Sequence, residues 1–303
     1  MRVASLDIGT NSIILTLAEI DSRGAIEAEA TFIEEPRLGE GLARTGEIST
    51  EALTRAISVL MRFVETAREF RSQIVIAFGT EVFRRAENGR EAISRIALQT
   101  GVEVKILSPE EEARYAFLGA TGEFRDNQPR LVFDIGGAST ELIWGTGSPR
   151  GYISLPIGAM VLSERFPAPL DRAVFCELNE TIDRELDKVP SEAFEVESAV
   201  GVGGTITTLS AMFLGLESYI PERVHGSVLP GEWLSRNTDE IIAMPAEELR
   251  RRLPFAPRRA DILPAGALIV RKILERGGFG EVLVSDRGGR FGAIYREAEK
   301  FYT

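Results

Sequence analysis

The sequence predicts an α/β protein built from two similar domains, and three observations lead there. A strand–turn–strand carrying Asp-Ile-Gly-x-x-Ser occurs twice, as LDIGTNSIILTL (Leu6–Leu17) and VFDIGGASTELIW (Val132–Trp144). Each half then reads as three strands followed by helix, strand, helix, strand and helix. At 303 residues the chain is also past the size at which one hydrophobic core keeps growing. An aspartate at a strand end beside bare backbone amides is what a metal–phosphate group needs. The duplicated loops are therefore expected to face each other across one interdomain cleft.

The elements follow in order. Residues 2–8 and 12–20 read as a strand pair joined at Gly9-Thr10-Asn11, and Gly24-Ala25 turns into a third strand over 26–34. The polar loop PRLGEGL (Pro36–Leu42) comes next. Ser49 or Thr50 caps a helix over 51–70, with Ala52, Leu53, Ala56, Ile57, Leu60, Met61 and Val64 on one face. QIVIAF at 73–78 reads as a buried strand, and a helix carrying Arg84 and Arg85 follows it. Residues 91–100 are helical and 102–107 extended. Ser108-Pro109-Glu110-Glu111 is a capping box that starts a helix to 121. The polar stretch EFRDNQPR (123–130) marks the boundary, giving domains 1–124 and 125–289, with a C-terminal helix at 290–303 returning to the first.

The second half repeats the opening with strands at 131–135, 139–145 and 150–155, then helices at 159–165 and 171–187. A strand at 197–202 enters Gly203-Gly204-Thr205, which opens a helix to 214. Residues 216–256 are proline-rich and irregular between short helices. A helix over 258–276 and a strand over 282–285 lead to Asp286-Arg287-Gly288-Gly289.

Composition narrows the chemistry. Apolar residues make up 44% and charged residues 27%, as in an ordinary globular protein, and no apolar run is long enough to span a bilayer. The single cysteine, Cys176, excludes internal disulfides, fits a reducing cytoplasm and is expected to pack within a helix. A net charge of −11 argues against a nucleic-acid binder. The lone histidine, His225, excludes histidine-rich zinc centres and tandem His/Asp phosphohydrolases. Any catalytic metal is then hard and oxygen-ligated, Mg²⁺ first.

The hairpin loops Gly9–Ser12 and Gly136–Ser139 can each aim consecutive amides at a phosphate, with Thr10, Asn11, Ser12, Ser139 and Thr140 adding side-chain donors. Gly137 and Ala138 complete the second loop. Gly203, Gly204 and Thr205 place free amides at a helix start, as does DRGG at 286–289. Asp7 and Asp134 are the metal-anchor candidates. Glu141 lies two residues beyond Ser139, so it faces the same side. Arg84 is the phosphate clamp, because a guanidinium matches phosphate oxygens bidentately. Glu112 is the base candidate: the cap and the helix dipole account for Glu110 and Glu111 but not for it.

Together these motifs resemble the exopolyphosphatase/guanosine pentaphosphate phosphohydrolase (Ppx/GppA) family of the actin–hexokinase–chaperone (ASKHA) superfamily. LDIGTNS, RLGEGL, FGTEVFRRAENG, SPEEEARYAFLGA, LVFDIGGASTEL, GVGGTITTL, HGSVL, RADILPAGALIV and VSDRGGRFGAIY carry the resemblance in order along nearly the whole chain. It implies two ribonuclease-H-like, actin-type domains in the family's short, two-domain form. It also implies that Glu112 aligns the attacking water, and that Asp134 and Glu141 hold Mg²⁺ (or Mn²⁺) and phosphate, with Gly136 in the phosphate loop. Asn11, Ser12, Arg84 and the Gly203–Thr205 turn would bind phosphates. The expected substrates are polyphosphate or guanosine polyphosphates, without nucleic acid or membrane, and with a homodimer left open. Two departures stand out: GGAST replaces the usual GGGST, and SDRGGRFG places Arg287 near the cleft. An ATP-dependent kinase of the same superfamily and a nucleotide-switched actin-like binding protein are the alternatives.

Overall fold

The computed structural model of the protein describes residues 1–123 and 128–302. Half of the boundary expected at 123–130, residues 124–127, therefore lies outside the described residues. The chain divides into two compact units: Met1–Gly119 together with Gly289–Thr303, and Ala120–Gly288.

In the first unit β1 (Arg2–Ile8), β2 (Ile13–Ile20) and β3 (Ile26–Glu34) form an antiparallel meander. A short α1 (Leu42–Thr45) precedes α2 (Thr50–Glu69), whose cap is Ser49, its side chain accepting from the Ala52 amide at 3.1 Å. β4 (Ile74–Gly79), α3 (Glu81–Arg85), α4 (Gly89–Thr100), β5 (Lys105–Ile106) and α5 (Pro109–Thr121) follow. The sheet order is β3-β2-β1-β4-β5, with β1, β4 and β5 parallel. Alternation along β1 sends Ala4, Leu6 and Ile8 to the core under α2 and α4. Val3 goes to the other face, with Phe291, Ile294 and Ala298 of the last helix.

The second unit runs β6 (Arg130–Ile135), β7 (Thr140–Thr146), β8 (Ser148–Leu155), α6 (Ala159–Arg165), α7 (Arg172–Leu186), β9 (Ser198–Val202) and α8 (Gly204–Phe213). It continues with α9 (Pro221–Val224), β10 (Val228–Pro230), α10 (Gly231–Ala243), α11 (Ala246–Arg252), α12 (Leu263–Gly277) and β11 (Glu281–Val284). The final helix, α13 (Gly289–Tyr302), belongs to the first unit. The sheet order β10-β11-β9-β6-β7-β8 reproduces the first sheet, with β10 added antiparallel at one edge. This strand order in both units is the ribonuclease-H-like arrangement.

Several expectations are corrected. The strand expected at 102–107 shrinks to Lys105–Ile106, which pairs only with Phe78 and Gly79. The first half of β4 is thereby left at an edge, and Val75 is 43% exposed. Met61 faces solvent, because Val59, Phe63 and Ala67 complete the buried stripe of α2 in its place. Residues 216–256 are more regular than their prolines imply: α10 has 13 residues and buries Leu234, Thr238, Ile241 and Ile242. Its prolines lie outside it, Pro230 at the cap and Pro245 beyond the end, so none interrupts the hydrogen-bond ladder. Cys176 is exposed, since Leu178, Thr181, Ile182 and Leu186 form the buried face of α7. Among the described residues no helix is long and apolar enough to cross a membrane.

Candidate active site

In the first unit the Gly9 amide closes the hairpin on Ser12 O at 2.9 Å. Thr10 and Asn11 stand exposed at its tip and Ser12 is half-buried. The Pro36–Leu42 loop supports the turn from behind: Arg37 N–H donates to Asn11 O (2.9 Å) and Gly39 N–H to Thr10 O (2.8 Å). Parallel pairing sets Asp7 beside Phe78 and Ile8 beside Gly79, so β1 and β4 end together and α3 begins there.

α3 delivers Arg84, whose Nη1 donates to Leu107 O at 2.7 Å and to Glu112 Oε2 at 2.8 Å. The capping box is closed by Glu111 alone, with Ser108 N–H to Glu111 Oε2 at 3.0 Å and Glu111 N–H to Ser108 Oγ at 3.2 Å. Lys105 engages the other Glu111 oxygen. Glu112 has no part in that cap. Burial pushes its carboxyl above the ordinary range, with Arg84 opposing through its hydrogen bond and charge and Glu81 adding to the rise. Burial pushes Asp7 up to about 7; Arg290 at the start of α13 pulls the other way and Glu112 adds to the rise. The first unit thus gathers Asp7, Arg84, Glu112 and Arg290.

In the second unit Gly136 N–H closes the hairpin on Ser139 O at 2.9 Å. The register places Asp134 directly opposite Glu141, and the next strand places Ser154 opposite Glu141, with Ser154 Oγ donating to Glu141 Oε1 at 2.8 Å. Two carboxylates directly across an antiparallel pair repel unless a cation or donors lie between them. The set is hard oxygen throughout, which fits Mg²⁺ or Mn²⁺. No group of three or more His, Cys, Asp or Glu residues poised for a metal occurs among the described residues.

Gly203 has φ 85° and lies against Asp134, where a Cβ would run into Oδ1. Only glycine meets both demands. The Arg259 guanidinium lies just as closely over Gly204, bringing positive charge to the turn that opens α8. Asp134, Glu141, Gly203 and Gly204 are thus gathered, with Gly137 and Ala138 exposed at the hairpin tip and Ser139 half-buried.

Two hydroxyls do not point where the sequence placed them. Thr140 is fully buried and donates to Ile157 O at 2.6 Å, because the first residue of β7 faces the core. Thr205 is 3% exposed and turns its hydroxyl towards Ile135 O at 3.4 Å, leaving only its amide at the helix start. Arg287 is ion-paired with Glu123, which also bonds His225 Nε2 at 2.7 Å, so its charge is largely answered within the unit. Ser154, Arg259 and Arg290 were not legible as site residues. Ser154 sits in an alternating strand, and both arginines follow irregular segments that periodicity cannot orient.

Two sheets of this order, each with an Asp-Ile-Gly-x-x-Ser hairpin at its strand ends, define a protein of the ribonuclease-H-like class. The chain belongs to the Ppx/GppA phosphatase family, whose model matches residues 21–301. It is 30% identical to exopolyphosphatase 2 of Mycobacterium tuberculosis over 94% of this chain and 95% of that protein. It is 27% identical to a guanosine-5'-triphosphate,3'-diphosphate pyrophosphatase of Vibrio atlanticus, over 98% of this chain and 59% of that one. A crystal structure of the Aquifex aeolicus family member superposes with a TM-score of 0.91 at 35% identity, covering 100% of this chain and 99% of that one. Likeness to named hydrolases along most of the chain makes this protein a hydrolase.

Proposed function

We propose that the protein releases terminal orthophosphate from inorganic polyphosphate, from guanosine pentaphosphate, or from both, by attack of a water that Glu112 aligns. The observation that carries this reading is the Arg84–Glu112 pair at 2.8 Å. It is a half-buried carboxylate without a role in its helix cap, held by a guanidinium whose remaining donors suit phosphate oxygens. The substrate classes rest on the relatives' names. A bound Mg²⁺ or Mn²⁺ would supply charge neutralisation at the phosphate, with Asp134 and Glu141 as its holders and Ser154 orienting Glu141. Asp7, at the matching strand end of the first unit, would be a further candidate metal ligand. The amides of both hairpin loops and of the Gly203–Thr205 turn would bind phosphate oxygens, and Glu112 would take the water's proton. A free, exposed Cys176 fits a cytoplasmic location.

The test is phosphate release from long-chain polyphosphate and from guanosine pentaphosphate, each with and without Mg²⁺, with no acceptor present. Release that requires a small-molecule acceptor would replace hydrolysis by kinase chemistry. Full activity in Glu112→Gln would overturn the base assignment.

A further inference from the structure

The two phosphate loops are braced from behind by elements that bear no likeness to each other, and each brace comes closest at a glycine. In the second unit Ala159 N–H donates to Gly136 O (2.9 Å), and Met160 and Val161 N–H donate to Gly137 O (2.9 and 3.0 Å). The orphan amides of α6's first turn are therefore satisfied by the loop's carbonyls. In a planar trans peptide the carbonyl and the N–H point in opposite directions. With the carbonyls of 136 and 137 turned to α6, the amides of Gly137 and Ala138 face away from it. In the first unit the carbonyls of Thr10 and Asn11 are held by the amides of Gly39 and Arg37, which turns the amides of Asn11 and Ser12 outward in the same way.

From this geometry we infer that Gly158 and Gly39 are positioning residues that set the aim of the phosphate-facing amides, an inference that rests on the proposed hydrolase reading. A Cβ on Gly158 would sit 2.5 Å from Gly137 C and O and 2.6 Å from Ala138 C, all of them backbone atoms that cannot swing aside. Its φ of −137° is open to any residue, so the requirement is steric and not conformational. A Cβ on Gly39 would meet Thr10 Cγ2, a methyl group that Thr10→Ser removes while keeping the hydroxyl.

Gly158→Ala should weaken orthophosphate binding roughly tenfold and lower kcat/KM by up to ~100-fold, because small misplacements of a positioned group are costly. The acidic limb of its pH profile should stay in place, since the proposed base, Glu112, is carried by α5 of the first unit. Gly151→Ala, which presses on the Trp144 ring in the same sheet, is the control: it should lower Tm and leave KM unchanged. Gly39→Ala should weaken binding likewise and be restored in Gly39→Ala/Thr10→Ser, which keeps the question open to test if Gly158→Ala fails to fold. A ¹⁵N–¹H titration with orthophosphate reads the aim directly and does not depend on turnover. The amides of Asn11, Ser12, Gly137 and Ala138 should shift in the wild type, and those of Gly137 and Ala138 should lose the response in Gly158→Ala. Unresponsive wild-type amides, or folded glycine variants with unchanged phosphate affinity, would overturn the inference. Absent turnover with responsive amides would instead count against the proposed reaction alone.

Discussion

In the first hairpin Asp7 stands opposite Ile14, whereas in the second Asp134 stands opposite Glu141. From Asp7 to Ile14 and from Asp134 to Glu141 the two stretches run through the same order of half-buried, buried and exposed positions. Their backbones are closed by the same amide-to-carbonyl bond at 2.9 Å. Their chemistry has diverged. The second hairpin pairs two carboxylates and a serine hydroxyl, a set suited to a divalent cation. The first leaves Asp7 to Arg290 and Glu112, with its carboxyl raised to about 7. A duplicated cradle can thus keep its geometry while one copy gathers the carboxylates of the proposed metal site and the other lies beside the proposed base.

That division can be broken by experiment, the largest effect coming from the base. Glu112→Gln is expected to lower kcat by about 10³-fold while Tm stays close to wild type, since general-base catalysis is worth ~10²–10⁴. Comparable turnover in the two proteins would show that the first unit does not hold the base.

Next comes the metal. Asp134→Asn should raise the half-saturating Mg²⁺ concentration by ~100-fold or more, and Asp7→Asn by much less. Equal shifts in a Mg²⁺ titration of phosphate release would erase the distinction between the hairpins.

A third expectation concerns stability. The Asp7 carboxyl rises in the folded protein from 3.8 to about 7, so the folded state holds its proton more tightly than the unfolded chain does. Its contribution is therefore present below pH ~4 and is lost as pH rises towards 7. Asp7→Asn should stabilise the fold at pH 8 by an amount on the order of 2–4 kcal/mol, seen as a higher Tm, and leave Tm nearly unchanged at pH 4. Thermal melts at the two pH values decide this, and a variant less stable at pH 8 would refute it.

The smallest effect belongs to Ser154→Ala. Losing the 2.8 Å bond to Glu141 should raise the Mg²⁺ requirement roughly tenfold without lowering saturated kcat.

The hairpins were legible because glycine, aspartate and serine at fixed offsets leave few other conformations. The capping box at Ser108 was legible for a local reason too: Ser and Glu three residues apart bond each other's amides. By contrast α10 was obscured by flanking prolines, and the strand at 102–107 was overstated because apolar residues cannot announce how many partners they will find.

By itself the sequence determined the two α/β repeats, the Asp-Ile-Gly-x-x-Ser turns and the separation of Glu112 from its capping neighbours. Each follows from backbone preferences acting over a few residues. Only the tertiary structure decided that Arg84 grips Glu112, that Ser154 steadies Glu141, that Thr140 and Thr205 turn their hydroxyls inward, and that Arg259 covers Gly204. Those contacts join residues far apart in the chain. Their directions are set by register and packing, which no local pattern encodes.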